Sequence, residues 1–124
     1  MYGLQKFSEQ EATNPFNLYQ WFRKVQQYVT SRTKTTTVTT TYSVVADTYY
    51  VRADATSAGF TITLPTADGC AGRQITIKKI DSTANIVTVA CTGAQTIDGA
   101  ATKTISTQYI SYTFICTGSN WEII

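Results

Sequence analysis

The side chains that most often carry out chemistry near neutral pH are scarce in this sequence. It contains no histidine, which removes the commonest general base and the commonest metal ligand, so Ser/His/Asp and Cys/His arrangements are excluded. Its three cysteines are widely spaced and form no CxxC pair, so neither a disulfide framework nor a zinc site is indicated. We interpret Cys70, Cys91 and Cys116 as small buried or half-buried apolar residues.

Paired carboxylates are the remaining arrangement that could support catalysis. The candidates are Asp47, Asp54, Asp68, Asp81, Asp98 and Glu122. Several of them adjoin Gly or Ser, where an aspartate commonly bonds the backbone of a turn, so we favour turn roles over glycosidase chemistry. Lys78 and Lys79 could bind an anion, but lysines that protect a solvated strand edge from aggregation explain the pair better. We therefore predict no enzyme activity, no cofactor and no metal site.

Charge and hydropathy exclude two further classes. The net charge is only +2, whereas a protein that neutralises many phosphates is strongly basic. No run of residues approaches the roughly 20 apolar residues of a membrane span, and the first residues lack the apolar stretch of a signal peptide. We expect neither nucleic acid nor a membrane as a partner, and synthesis in a cytoplasm.

The elements that would position any functional residue begin with an N-terminal helix. Asn14-Pro15 is a helix-start signal, and from Phe16 to about Val29 the apolar residues recur at helical spacing along one stripe. Such a short helix needs a partner surface, which is either its own β domain or another subunit, and we favour the second. Residues 1–34 also carry the basic excess, with a local balance of +3. The residues predicted to dock are Leu18, Trp21, Phe22, Arg23, Lys24, Val25, Tyr28, Arg32 and Lys34.

A threonine-rich segment follows the helix. Eight of the twelve residues from 30 to 41 are threonine, which favours an extended connector or an edge strand because β-branched side chains suit extended backbone. O-glycosylation is the alternative for such tracts, but proline and a secretion signal are lacking. We divide the chain into an anchor at 1–34, a connector at 35–46 and a β module at 47–124.

The remainder has short alternating runs separated by turn signals, which is typical of a compact β-sandwich or barrel. We predict strands at 42–45, 48–53, 60–64, around 75–77, and at 86–90, 96–97, 102–106, 109–116 and 121–124. The consecutive lysines after Ile77 indicate a bulge or a strand end. Strand 109–116 has apolar residues on both faces, which indicates a central strand or a subunit interface. The predicted fold is mainly β: an antiparallel sandwich or barrel-like module preceded by one amphipathic helix.

Spaced residues in this β region carry a resemblance to a known family. They are Ile62-Thr-Leu-Pro65, Gly69, Gly72-Arg73, Ile77-Lys-Lys-Ile-Asp81, Asn85, Val87-Thr-Val89, Thr96-Ile-Asp-Gly99, Tyr109 and Gly118-Ser-Asn-Trp121. Over residues 59–124 the sequence resembles a small β module of tailed-bacteriophage virion proteins, found in head fibres, tail fibres and related appendages. The helix and the threonine tract lie outside the resemblance.

The resemblance implies a non-enzymatic virion component, assembled in the host cytoplasm and commonly a homotrimer. Because the chain is short and ends just after the module, we expect a capsid decoration or short head-fibre protein. Its N-terminal region would dock on capsid or tail proteins, and its β module would be exposed. The alternatives are a tail-fibre or adhesin component that binds a receptor or glycan of the host surface, and a free carbohydrate-binding or scaffold domain.

Overall fold

The computed structural model describes residues 34–124, which are mainly β. Their nine strands are β1 Lys34–Val38, β2 Tyr42–Ser43, β3 Thr48–Ala53, β4 Phe60–Thr63, β5 Gln74–Lys79, β6 Val87–Ala90, β7 Thr102–Ile105, β8 Ser111–Cys116 and β9 Trp121–Ile123. No helix within this range is long and apolar enough to cross a membrane. The predicted amphipathic helix lies outside the described residues.

The strands form two mixed sheets. Sheet A has the order β1-β3-β5-β8-β9, and sheet B has the order β2-β4-β6-β7. From β1 to β6 successive strands alternate between the sheets, so neighbours within each sheet run parallel. Antiparallel pairing is found at β5–β8, β8–β9 and β6–β7. The prediction of antiparallel sheets is therefore wrong for the first six strands, because each early connection crosses to the opposite sheet instead of folding back as a hairpin.

The inward side chains of both sheets form one hydrophobic core, as in a β-sandwich. Its largest apolar members, Trp121, Phe114 and Ile62, are fully buried. Strand β4 shows the alternation that the sequence predicts, with Phe60 and Ile62 inward and its two threonines half-buried on the other face. Burial of these apolar groups, at about 25 cal/mol per Å² of surface removed from water, is the main force that holds the two sheets together.

The described part of the threonine-rich segment, from Lys34 onward, belongs to the sandwich. Lys34–Val38 forms β1, an edge strand of sheet A, and Tyr42–Ser43 forms β2, an edge strand of sheet B. Val38 and Val44 are both core residues. The edge-strand interpretation is thus confirmed for 34–38, and Val38 at the end of β1 and Val44 directly after β2 anchor the two edge strands in the core.

The strands predicted at 109–116 and 96–97 are both shorter in the structure. The strand predicted at 109–116 begins at Ser111, and it is central in sheet A because β8 pairs with both β5 and β9. The strand predicted at 96–97 is reduced to isolated bridges, in which Ile97 pairs with Ala100 and with Trp121. Asp98 and Gly99, both with positive φ, form a tight turn directly after Ile97, so the strand pairing cannot continue beyond it.

The strand directions define two ends of the sandwich. The chain enters at Lys34 at one end, together with loops 44–47, 64–73, 91–101 and 117–120; we name this the proximal end. Loops 39–41, 54–59, 80–86 and 106–110 lie at the opposite end, which we name the distal end. Residues far apart in sequence therefore meet at each end.

Candidate functional site

Lys34 is the single member of the predicted docking set that lies within the described residues. It begins β1 at the proximal end, where it pairs with Thr48 of β3. Its Nζ is 3.6 Å from Asp47 Oδ2, and the two side chains are 52% and 47% exposed. Exposed pairs of this kind contribute at most about 1 kcal/mol, so Lys34 remains available to a partner. The other eight residues, from Leu18 to Arg32, lie outside the described residues.

Arg73 holds loop 44–47, which lies close to Lys34, against the rest of the sandwich. Its Nη2 donates to the main-chain oxygens of Val45 at 2.7 Å and of Thr48 at 2.9 Å. Its guanidinium also lies 5.1 Å from the centroid of the Tyr49 ring, a cation–π distance. The proximal end is thereby braced close to the point where the chain enters.

The distal end is organised by a buried ion pair. Lys79 is fully buried, and its Nζ lies 2.7 Å from Asp81 Oδ2. It also donates to the main-chain oxygens of Asp81 at 3.2 Å and Thr83 at 2.8 Å, so all three donors of its ammonium group have partners. The prediction that Lys79 lies on a solvated edge is wrong, because β5 is an interior strand and Lys79 follows Ile75 and Ile77 on its inward face. Of the two alternatives predicted for the lysine pair, a bulge or a strand end, the strand end is observed, since β5 ends at Lys79.

Asp81 connects two distal loops. Its Oδ1 accepts from the Ala55 amide at 2.8 Å, and its Oδ2 accepts from the amide and the hydroxyl of Thr83. Asn85 Nδ2 donates to the Ala55 carbonyl at 2.7 Å. Burial raises the pKa of the Asp81 carboxyl, but the hydrogen bonds from Lys79, Thr83 and Ala55 outweigh burial and hold that pKa well below its usual range. Asp81 is therefore ionised and structural.

Tyr109 is the most exposed large side chain of the distal loops. It is 63% exposed, and its neighbour Ile110 is 43% exposed. Its φ of 66° is uncommon for a residue other than glycine, and its amide donates to the Lys79 carbonyl at 2.7 Å. Lys78 Nζ lies 5.4 Å from the ring centroid. An aromatic ring held outward by an unusual backbone conformation is a candidate contact residue.

The remaining carboxylates behave mostly as turn residues. Asp54 Oδ1 accepts from the amide of Thr56 at 3.0 Å and from its hydroxyl, and these bonds lower the pKa of the Asp54 carboxyl. Asp98 Oδ1 lies 3.4 Å from the Ile123 amide. Within residues 34–124 no group of three His, Cys, Asp or Glu side chains is placed to hold a metal ion.

The cysteines have the burial that the sequence predicts, and two of them, although far apart in the sequence, meet in the fold. Cys70 and Cys91 are half-buried and Cys116 is buried. The structure brings Cys70 and Cys116 together at the proximal end, with their Sγ atoms 2.6 Å apart. They are 46 positions apart in sequence, so no local pattern could have revealed the contact.

The buried ion pair, by contrast, could have been predicted from the sequence. The alternation Ile75, Ile77, Lys79 places the lysine inward, and an inward lysine requires an acid close by, which Asp81 supplies.

Comparison of the sequence with models of protein families and with curated proteins found no match.

Proposed function

We propose that this chain is a non-enzymatic structural protein of a tailed-bacteriophage virion, either a capsid decoration protein or a short head fibre. Residues 1–34 would attach it to the particle, and the β-sandwich would be exposed. The observation that carries the proposal is that the chain enters the sandwich at one end, whereas large exposed apolar side chains lie at the other end. The chain enters at Lys34 at the proximal end, whereas Tyr109, Ile110 and Ile86 are exposed at the distal end.

The residues that carry the family resemblance have structural roles, which supports a platform rather than a catalyst. Trp121 and Ile62 fill the core, and Lys79 with Asp81 ties the distal loops together. Asp98, Gly99 and Gly118 are turn residues with positive φ. Because these residues stabilise the fold, the motif suits a rigid structural module.

Attachment would combine apolar and charged contacts. Trp21 and Phe22 would bury aromatic area in the partner, as aromatic anchors commonly do, while Arg23, Lys24 and Arg32 would meet acidic groups. In a homotrimer three such anchors would act together and raise avidity without new contacts. The partner would be a capsid or tail protein of the same particle.

Exposure of Tyr109 and Ile110 favours one alternative, a tail-fibre or adhesin component that binds the host surface. Large exposed apolar residues on a braced loop end are typical of contact sites. A receptor-binding protein added free to cells would block phage adsorption, and Tyr109→Asn would abolish the block, because asparagine keeps the positive φ but removes the ring. A decoration protein would leave adsorption unchanged.

Imaging of labelled particles tests the proposal directly. We expect mass spectrometry to find the chain in purified virions of the phage that encodes it, and electron microscopy to place a C-terminal gold label on the head surface. Labels at the tail tip would favour the adhesin alternative. Virions without the chain would contradict both.

A further inference from the structure

We propose that Cys70 and Cys116 form a modification site that is oxidised to a single disulfide within one chain. Their Sγ atoms lie 2.6 Å apart, about half an ångström more than the ~2.05 Å of a disulfide bond. Cys70 lies in the loop between β4 and β5, and Cys116 is the last residue of β8. This inference is independent of the proposed virion role.

Main-chain hydrogen bonds hold both cysteines in place. The Gly72 amide donates to the Cys116 carbonyl at 2.8 Å, and the Cys116 amide donates to the Arg73 carbonyl at 2.9 Å. The Arg73 amide donates in turn to the Cys70 carbonyl at 3.0 Å. Both backbones are fixed in this way and the two sulfur atoms are about half an ångström beyond bonding distance, so closing the disulfide requires only a small movement of the sulfur atoms.

The thiol protons are arranged in series. Cys116 Sγ lies 3.2 Å from the Ala67 carbonyl, to which its thiol can donate, so its sulfur can accept from the Cys70 thiol. Burial and this contact with Cys116 raise the pKa of the Cys70 thiol to about 11. Since the thiolate is the reactive form, oxidation at neutral pH is slow, and the pair stays reduced in a cytoplasm that maintains thiols.

Oxidation by a small disulfide such as oxidised glutathione balances as follows. The Cys70 thiolate, from the more exposed cysteine, attacks one glutathione sulfur and releases one glutathione thiolate. The Cys116 thiolate then attacks the Cys70 sulfur of the mixed disulfide and releases the second glutathione. Two protein thiols are oxidised, one glutathione disulfide is reduced to two thiols, and both protons leave with the glutathione molecules.

The disulfide would join the β4–β5 loop to the end of a central strand. It would close a loop of 46 positions, which restricts the unfolded chain strongly. We expect the thermal midpoint of the oxidised protein to exceed that of the reduced protein by about 5–15 °C. Two thiols without a third ligand do not make a structural metal site, and the described residues offer no cluster of three.

Peptide mapping of the full chain tests the proposal. The purified protein is equilibrated with oxidised glutathione, trapped with N-ethylmaleimide and digested with trypsin. Each cysteine falls on its own tryptic peptide, 53–73, 80–103 or 104–124. We expect peptides 53–73 and 104–124 to be linked, while Cys91 carries maleimide. The Cys91→Ser variant is the matched control and should give the same linked pair.

Two results would overturn the inference. One is full alkylation of Cys70 and Cys116 after prolonged equilibration and denaturation. The other is a linkage that involves Cys91 or a second chain. Both are measured on the unmodified sequence, so that no substitution affects folding.

Discussion

At the scale of single residues, Lys79 and Asp81 stabilise the fold in a way that depends on both partners. Neither charge is solvated, since their side chains are 0% and 2% exposed. An intact buried pair adds little net stability over an apolar pair, but losing one partner leaves an uncompensated buried charge. The main role of the pair is therefore to fix the positions of the distal loops.

Substitution of one partner should be severe. We expect Lys79→Met and Asp81→Asn each to lower the free energy of unfolding by about 3–5 kcal/mol, measured by urea denaturation. The adjacent Lys78→Met is the matched control, because Lys78 is on the other face of β5, and it should cost no more than about 1 kcal/mol. Equal losses at positions 78 and 79 would contradict the buried pair.

The depressed pKa of Asp81 predicts sensitivity to acid. Its pKa is lower in the folded than in the unfolded chain, where it is about 3.9, so the unfolded chain takes up the proton first as the pH falls. The stabilisation is fully present at neutral pH and is lost progressively below about pH 4. We expect the difference in urea midpoint between wild type and Asp81→Asn to narrow from pH 7 to pH 3. A constant difference would show that Asp81 does not titrate in this way.

At the scale of elements, the close approach of two segments in sheet B depends on Gly59. A Cβ atom at this position would lie 2.6 Å from the Ile86 carbonyl oxygen, which also accepts a hydrogen bond from the Phe60 amide. We expect Gly59→Ala to cost about 1–3 kcal/mol, measured as a shift of the denaturation midpoint. The exposed neighbour Ala58, changed to Ser, should have little effect. An unchanged midpoint for Gly59→Ala would contradict the approach of β4 to the loop before β6.

The strands could be predicted more easily than their pairing. Alternation shows which residues face inward, and the strand predicted at 48–53 is observed with the same bounds. Alternation does not show which strand lies alongside, because parallel and antiparallel neighbours expose the same faces. The contact of Cys70 with Cys116 escaped prediction for this reason. Lys79 could have been placed correctly, since its alternation with Ile77 was readable.

At the scale of the whole molecule, the two ends of the sandwich have different characters. The proximal end carries the entering chain and the cysteine pair, and the distal end carries the ion pair and Tyr109. If the protein is a homotrimer, analytical ultracentrifugation should give about three times the 13.7 kDa of one chain. A monomer at micromolar concentration would instead favour the free carbohydrate-binding or scaffold domain.

The occupancy of virions by full-length variants tests the central proposal most directly. We expect Trp21→Ser combined with Phe22→Ser to reduce the copies per particle at least about tenfold, since the loss of two aromatic anchors costs more than ~1.4 kcal/mol. Tyr109→Asn, at the distal end of the sandwich, should remain at wild-type occupancy, and both proteins should unfold at wild-type urea midpoints. Wild-type occupancy of the Trp21→Ser/Phe22→Ser protein would contradict attachment through the N-terminal region.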